Sequence, residues 1–269
     1  MDGSVDIDRR MLIALVVGIA LAALVIALVS RGGGTTDAGA ASTSTAHNAQ
    51  HAATGATPAA VVAGVDHHAG NADEHAELQP DVPLDNATRD AVAAQLVAAR
   101  DFALRYPTVA DATNAGFIVA GGFAPGVGAH YVGLAAAASG VFDASKASTL
   151  IYDGTSPTSR IVGLMYLGGA AQPPEGFAGP NDHWHRHSGV CTKFSAGKIE
   201  VPFPADADVT KAMCDAQKGV FMNRTTWMVH AWVVPGWESP SGVFSHDNPN
   251  LHCADGTSNT DKAGFCQGT

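Results

Sequence analysis

The stretch GFIVAGGFAPGVGAHYVGL, residues 116–134, decides the fold class, because two branched and aromatic runs flank the Gly-rich turn PGVG. Short runs of this kind, bounded by Gly and Pro, are typical of β-strands. Segments of the same character follow towards the C-terminus: TLIYDG, RIVGLMYLGG, DHWHRHSGVCTKF, TTWMVHAWVVPG and GVFSH. They predict that most of the folded part is sheet.

The sequence just before this stretch predicts two helices. Asp85 or Asn86 can cap a helix that runs to about Arg105. Its apolar face repeats at helical spacing and consists of Val92, Leu96, Ala99 and Ala103. Thr108 can cap a second, short helix that Gly116 closes. Since helices come first and do not alternate with strands, we expect an α+β fold with a helical hairpin packed on an antiparallel sheet or small barrel.

Residues 11–30, MLIALVVGIALAALVIALVS, form an uncharged run at the N-terminus. At about 1.5 Å per residue, a helix of this length crosses a hydrocarbon core of about 30 Å. Arg9 and Arg10 precede the run, and positive residues favour the cytoplasmic side. We therefore predict a cytoplasmic segment at residues 1–10 and a single-pass signal-anchor helix in the cell membrane, with the remaining chain extracellular or periplasmic. The alternative is a cleaved signal peptide.

Residues 31–80 are rich in Gly, Ala, Thr and His and contain few large hydrophobic residues. Such a composition cannot bury enough apolar surface to offset the entropy of ordering, so it predicts a disordered linker to a globular domain at residues 81–269. Its histidines are His47, His51, His67, His68 and His75. These histidines are either solvated side chains or weak ligands of a metal ion.

Composition and motifs exclude several functional classes. The net charge is -10, and no dense run of Lys or Arg suits a phosphate backbone, so nucleic acid is not an expected partner. The chain has neither a GxSxG elbow nor a Walker-type phosphate loop.

All four cysteines, Cys191, Cys214, Cys253 and Cys266, fall in the part predicted to lie outside the membrane. An even number in an oxidising compartment predicts two disulfides. Three connectivities are open, of which the sequence-local one closes the shortest loops. A thiolate metal site is the alternative, although no CxxC spacing is present.

The segment NDHWHRH, residues 181–187, carries the strongest chemical signal. In an extended strand, side chains alternate faces, so His183, His185 and His187 would all point the same way. Two neighbouring imidazoles at this spacing can converge on one ion, and we expect His185 and His187 to do so. His183 would then sit farther along, supporting or gating the site.

Further ligands are expected from other strands. His230 in WMVHAW and His130 in GAHYVG are the candidates. Imidazole ligands suit a transition metal ion, here copper or zinc first and iron or nickel next. Side chains that can assist are the carboxylates Asp153, Asp182 and Glu238 and the thioethers Met165, Met222 and Met228.

The HxH motif at His185 and His187 resembles the first metal motif of cupins, and with a distant histidine it is similar to the zinc ligands of alpha-type carbonic anhydrases. The glutamate that cupins carry after this motif is missing, and no further motif of either family is present. These resemblances therefore assign no family.

Three functions follow from these patterns. The first is a membrane-anchored protein that binds copper or zinc for storage, delivery or sensing. The second is a metalloenzyme, such as a hydrolase, lyase or oxygenase, with three histidine ligands and an open position. The third is an interaction domain whose histidines are structural. The first predicts a closed site, and the second predicts a pocket.

Overall fold

The computed structural model describes residues 80–169, 172–203, 207, 209–257 and 264–266. The predicted cytoplasmic segment, signal-anchor helix and almost all of the linker lie outside these residues. Within the described part of the chain, no helix is both long and apolar enough to cross a membrane.

The described residues form four helices and eight strands. The helices are α1 (Asn86–Ala103), α2 (Val109–Asn114), α3 (Leu134–Ser139) and α4 (Lys211–Ala216). The strands are β1 (Ile118–Ala124), β2 (Gly128–Val132), β3 (Thr149–Tyr152), β4 (Ile161–Leu167), β5 (Ser188–Ser195), β6 (Lys198–Glu200), β7 (Val220–Arg224) and β8 (Met228–Ala231).

The two predicted helices are present, and their caps explain where they begin. The Asp85 carboxylate accepts a hydrogen bond from the Thr88 amide at 2.8 Å, which satisfies one of the unpaired donors at the start of α1. Thr108 and Asp111 form a reciprocal capping box at α2. Ala99 and Ala103, on the predicted apolar face of α1, are fully buried. The helix ends slightly earlier than predicted, at Ala103.

The strands form one curled sheet in the order β7-β5-β6-β1-β2-β3-β4-β8. Neighbouring strands are antiparallel except β1 and β6, which run parallel where Ala120 faces Ile199. The predicted antiparallel sheet is therefore wrong at this pair, and the sheet is mixed. A parallel pair needs a long connection, and β2, β3, β4 and β5 all lie between β1 and β6 in the chain.

The two ends of the sheet meet just before β5. His185 exchanges backbone hydrogen bonds with Met228 of β8, at 2.9 Å and 2.7 Å. The Thr225 amide donates to the His187 carbonyl at 2.8 Å. Because residues 185–187 lead into β5 while contacting β8, the curl of the sheet brings both ends to one place.

Two of the predicted strand segments differ from expectation. The histidine segment is not a continuous strand, because β5 begins only at Ser188 and His185 alone forms a bridge. GVFSH, residues 242–246, is a turn-rich loop rather than a strand. Trp232 holds this loop, since its amide donates to the Val243 carbonyl at 2.9 Å and its indole Nε1 donates to the Ser245 carbonyl at 2.8 Å.

The main core lies between α1 and the strands β2, β3, β4 and β8, and its fully buried members include Leu150, Ile151, Leu164 and Trp232. The predicted disulfides are present as the sequence-local pairs. Cys191–Cys214 ties β5 to α4, and Cys253–Cys266 closes the C-terminal loop. On the chain-entropy model, each loop contributes about 3 kcal/mol to the free energy of unfolding.

Candidate metal centre

Three histidines from two separate segments meet where the sheet ends join. His185 and His187 precede β5, and His246 lies in the loop that follows β8. Each offers one ring nitrogen, and these atoms all lie within 4.8 Å of one another. The ring centroids are 4.5 Å apart for His185 and His246, 5.4 Å for His187 and His246, and 5.6 Å for His185 and His187. We call these three residues the histidine triad.

These distances suit a transition metal ion. With metal–nitrogen bonds of about 2.0 to 2.1 Å, tetrahedral imidazole ligands have ring centroids about 5 Å apart. The triad therefore needs only small ring adjustments to hold an ion. His185 is fully buried, whereas His187 and His246 are partly accessible. An ion would reach the triad from the side of these last two rings.

The backbone around the triad is fixed by hydrogen bonds, which limits the reorganisation that binding requires. The His187 amide donates to Thr225 Oγ1 at 2.9 Å. His185 Nδ1 lies 3.3 Å from the His183 carbonyl oxygen. Metal-binding histidines commonly use one nitrogen for a contact of this type and the other for the ion. Ser245, beside His246, lies with its hydroxyl 2.7 Å from the Asp247 carbonyl oxygen.

His230 of β8 extends the cluster on its buried side. Its ring centroid lies 5.2 Å from that of His185 and 5.7 Å from that of His246. The residue is 2% exposed, and both ring nitrogens are buried. Trp232 stacks on this ring with centroids 5.5 Å apart. His230 is therefore a neutral, buried imidazole held flat against an indole.

His130 of β2 lies beyond His230, with ring centroids 5.9 Å apart. Burial lowers the pKa of His130 to about 4. Burial is also the main cause that lowers the pKa of His230 well below its ordinary value, and the charges of His246, His130 and His187 add to it. The backbone of His246 opposes that shift. Both rings are therefore neutral at pH 7, and a neutral ring keeps a lone pair for a metal ion.

The structure does not bring His183 into the cluster. Its Nε2 pairs with Asp81 Oδ1 at 2.7 Å. Side chains alternate faces only along a continuous strand, and this segment has a single bridge at His185. His183 is therefore not among the histidines whose ring nitrogens converge in the described residues.

The three carboxylates that were predicted to assist the metal site make local hydrogen bonds. Asp182 accepts a hydrogen bond from Trp184 Nε1 at 2.9 Å, and burial raises the pKa of its carboxyl to about 7. Asp153 accepts from the Arg160 amide at 2.7 Å, and Glu238 accepts from the Gly236 amide at 2.9 Å. These carboxylates stabilise local backbone.

The three methionines named in the sequence lie in strands of the sheet. Met165 of β4 lies opposite His230 in the strand register. Met228 is buried at the start of β8, and Met222 lies in β7.

Sequence reasoning missed His246. The loop that carries it has no periodic pattern and resembles a short strand in composition. The one available signal was that a further histidine, flanked by Ser245 and Asp247, follows soon after the strand containing His230.

Two surface cavities lie away from the triad. One is lined by residues that include Asp143 and Tyr166, and the other by residues that include Arg160 and Trp237. Neither is lined by a histidine.

Comparison with protein-family models, with curated proteins and with solved structures finds no match to this chain. The chemistry of the site therefore rests on its own residues.

Proposed function

We propose that this protein is a membrane-anchored, extracytoplasmic metal-binding protein that holds a copper or zinc ion through His185, His187 and His246 for storage, delivery or sensing. The observation that carries the proposal is the convergence of three imidazole nitrogens within 4.8 Å. Three imidazole nitrogen ligands match the preferences of copper and zinc, and also accommodate iron or nickel.

Burial supports binding rather than turnover. His185 is fully buried, and neither of the two cavities described above is lined by a residue of the triad. A carrier or store needs a closed site with a narrow entry, and the partly accessible rings of His187 and His246 supply such an entry.

The extracytoplasmic location is proposed from two features of the chain. The apolar run at residues 11–30 has Arg9 and Arg10 on its N-terminal side, which favours a cytoplasmic N-terminus. Both disulfides are of the kind that persists in an oxidising compartment. The lipid bilayer is then the partner of residues 11–30.

A second function, a metalloenzyme, is favoured by one observation. His187 and His246 keep part of their surface accessible, so an ion on the triad can keep one position open to water or another small molecule. A three-histidine site with an open position is the arrangement of several zinc catalysts.

Elemental analysis of the full chain, purified in detergent without a histidine tag, tests the proposal. We expect about one tightly held copper or zinc ion per chain, which His185→Ala with His187→Ala removes while both disulfides remain. The matched control is His252→Ala, because His252 is exposed and its Nδ1 lies 3.3 Å from the carbonyl oxygen of the neighbouring Cys253. Metal content that does not respond to the double variant would contradict the proposal and favour structural histidines.

A further inference from the structure

A surface cavity of about 280 Å³ lies where three parts of the chain meet. The end of α1, the hairpin between β3 and β4, and the turn after β8 each supply part of its wall. Its lining includes Leu104, Asp153, Arg160, Val234 and Trp237. Pockets for drug-sized ligands usually enclose about 300 to 1,000 Å³, so this cavity suits a smaller molecule.

Backbone hydrogen bonds fix the walls of this cavity. The Ile161 amide donates to the Pro107 carbonyl at 3.1 Å, which joins the start of β4 to the segment after α1. The Trp237 amide donates to the Val234 carbonyl at 2.9 Å and closes a turn. Gly236 in this turn has a φ of 85°, which glycine adopts without steric cost. The cavity is therefore formed before any ligand binds.

The lining combines an apolar surface with a charged one. Ile161 and Val234 are buried, and Trp237 is half-buried. Leu104 is 48% exposed, so it presents apolar surface to any molecule in the cavity. Arg160 is exposed, and Asp153 is half-buried. A fitting ligand therefore has an apolar part as well as polar groups.

Two opposite charges line this cavity without pairing with each other. Asp153 Oδ1 accepts a hydrogen bond at 2.7 Å from the backbone amide of Arg160, not from its guanidinium. Among the described residues, neither side chain forms an ion pair, and neither Asp153 Oδ2 nor the Arg160 guanidinium makes a hydrogen bond. One carboxylate oxygen and the N–H donors of the guanidinium are therefore available to a ligand.

The other surface cavity has the opposite arrangement. Asp143 and Lys146 line it, and their side chains pair with each other at 3.3 Å. Asp143 also accepts hydrogen bonds from the amide and the hydroxyl of Ser145. Since these charges already have partners, that cavity offers less to a charged ligand.

We propose that the cavity lined by Asp153 and Arg160 binds a free α-amino acid with an apolar side chain. Arg160 binds its carboxylate, because the planar guanidinium matches a carboxylate in two parallel hydrogen bonds. Asp153 accepts from its ammonium group. The apolar side chain packs against Leu104 and Trp237, whose surfaces face the cavity.

The charges of the cavity favour this class of ligand over simpler ones. An α-amino acid carries its carboxylate and its ammonium group on one carbon atom, so one small molecule can satisfy both Arg160 and Asp153. A ligand with only a carboxylate would be repelled by Asp153, and a ligand with only an amine would be repelled by Arg160. No histidine lines the cavity, so this site is independent of the triad and of the proposed metal function.

Isothermal titration calorimetry of the full chain in detergent, with L-leucine as the probe, tests the proposal. Because amino acids also bind metal ions, the protein should first be treated with a chelator and dialysed. We expect saturable binding of one L-leucine per chain. Isocaproate lacks the ammonium group, isoamylamine lacks the carboxylate and glycine lacks the apolar side chain, so each should bind about tenfold more weakly or less.

Two variants remove the charges one at a time. Arg160→Gln and Asp153→Asn should each weaken L-leucine binding by about tenfold, since each deletes one charge-assisted contact. Asparagine at position 153 keeps an acceptor for the Arg160 amide, so the hairpin should still fold. Lys146→Gln is the matched control, because it removes a positive charge from the other cavity, and it should leave the affinity unchanged. Circular dichroism and intact disulfides establish that each variant is folded.

The outcomes are decisive for this site and leave the metal centre untouched. An absence of saturable heat with L-leucine and with L-phenylalanine would overturn the proposal. Isocaproate that binds as tightly as L-leucine would also overturn it, because the ammonium group would then play no part. Binding unaffected by both Arg160→Gln and Asp153→Asn would place the amino acid elsewhere and overturn it as well.

Discussion

The imidazole rings of His185 and His246 lie 4.5 Å apart between centroids, although they come from distant segments of the chain. Trp232 connects the two segments, because it follows the strand that pairs with His185 and its indole holds the Ser245 carbonyl next to His246. The convergence is therefore a consequence of the curled sheet and of one tryptophan, and it places three histidines that could hold a metal ion at the junction of the sheet ends.

Replacement of His246 tests whether the loop contributes a ligand. His246→Ala removes one of three nitrogens, so we expect the affinity for Zn(II) to fall by more than about 100-fold, since loss of a supporting residue alone costs about 10- to 100-fold. Competition with a chromophoric chelator measures this affinity. An affinity equal to that of the His252→Ala control would show that His246 is not a ligand.

Replacement of His183 separates the pair with Asp81 from the metal site. Because Asp81 is 65% exposed, the pair should contribute at most about 1 kcal/mol to the free energy of unfolding. We expect His183→Ala to leave the zinc affinity within about twofold of the parent protein. A loss of affinity comparable to that of His185→Ala would contradict the placement of His183 outside the cluster.

Gly163→Ala tests the packing that holds the histidines. The new Cβ would lie 2.6 Å from the Trp232 ring, and overpacking of this type costs about 1 to 3 kcal/mol. Since Trp232 contacts both His230 and the His246 loop, we expect lower zinc affinity together with a lower free energy of unfolding in urea. Gly169→Ala is the matched control, because the nearest atom to its Cβ is 3.9 Å away. Equal stability of the two variants would contradict this packing.

Asp182 predicts a specific dependence of stability on pH. Its carboxyl has an ordinary pKa of 3.8, which burial raises to about 7 in the folded protein. Between these values the unfolded chain loses a proton that the folded chain retains, so the contribution of this group falls as pH rises and levels off above about 7. Asp182→Asn removes the effect.

The metal-free protein is the right sample for this test. We expect the free energy of unfolding of Asp182→Asn, relative to the parent, to increase from about pH 5 to about pH 7.5 in urea titrations. Asp101→Asn, at an exposed position, is the control and should show little change. A pH-independent difference for Asp182→Asn would show that the carboxyl ionises normally.

Much of the fold was predictable because local signals determined it. Asp85 and Thr108 cap helices through contacts within four residues, and the short disulfide loops are close in sequence. The parallel contact of β1 with β6 was not predictable, because it depends on how distant hairpins join.

The candidate site was predictable only in part for the same reason. The alternation of side chains along an extended segment predicted that His185 and His187 lie together, and they do. The same alternation did not predict the position of His183, which pairs with Asp81, because the only bridge of this segment in the described residues is at His185. His246 depends on hydrogen bonds from Trp232 to a loop, and no periodic pattern marks such a loop.

X-ray absorption spectroscopy of the zinc-loaded full chain, with the five linker histidines replaced by asparagine, tests the central claim most directly. We predict a first shell of nitrogen at about 2.0 to 2.1 Å with the outer-shell scattering of at least three imidazoles. The imidazole contribution should be lost with the zinc in His185→Ala, His187→Ala and His246→Ala combined. A shell of oxygen alone, or one unchanged in the triple variant, would contradict a histidine-triad metal centre.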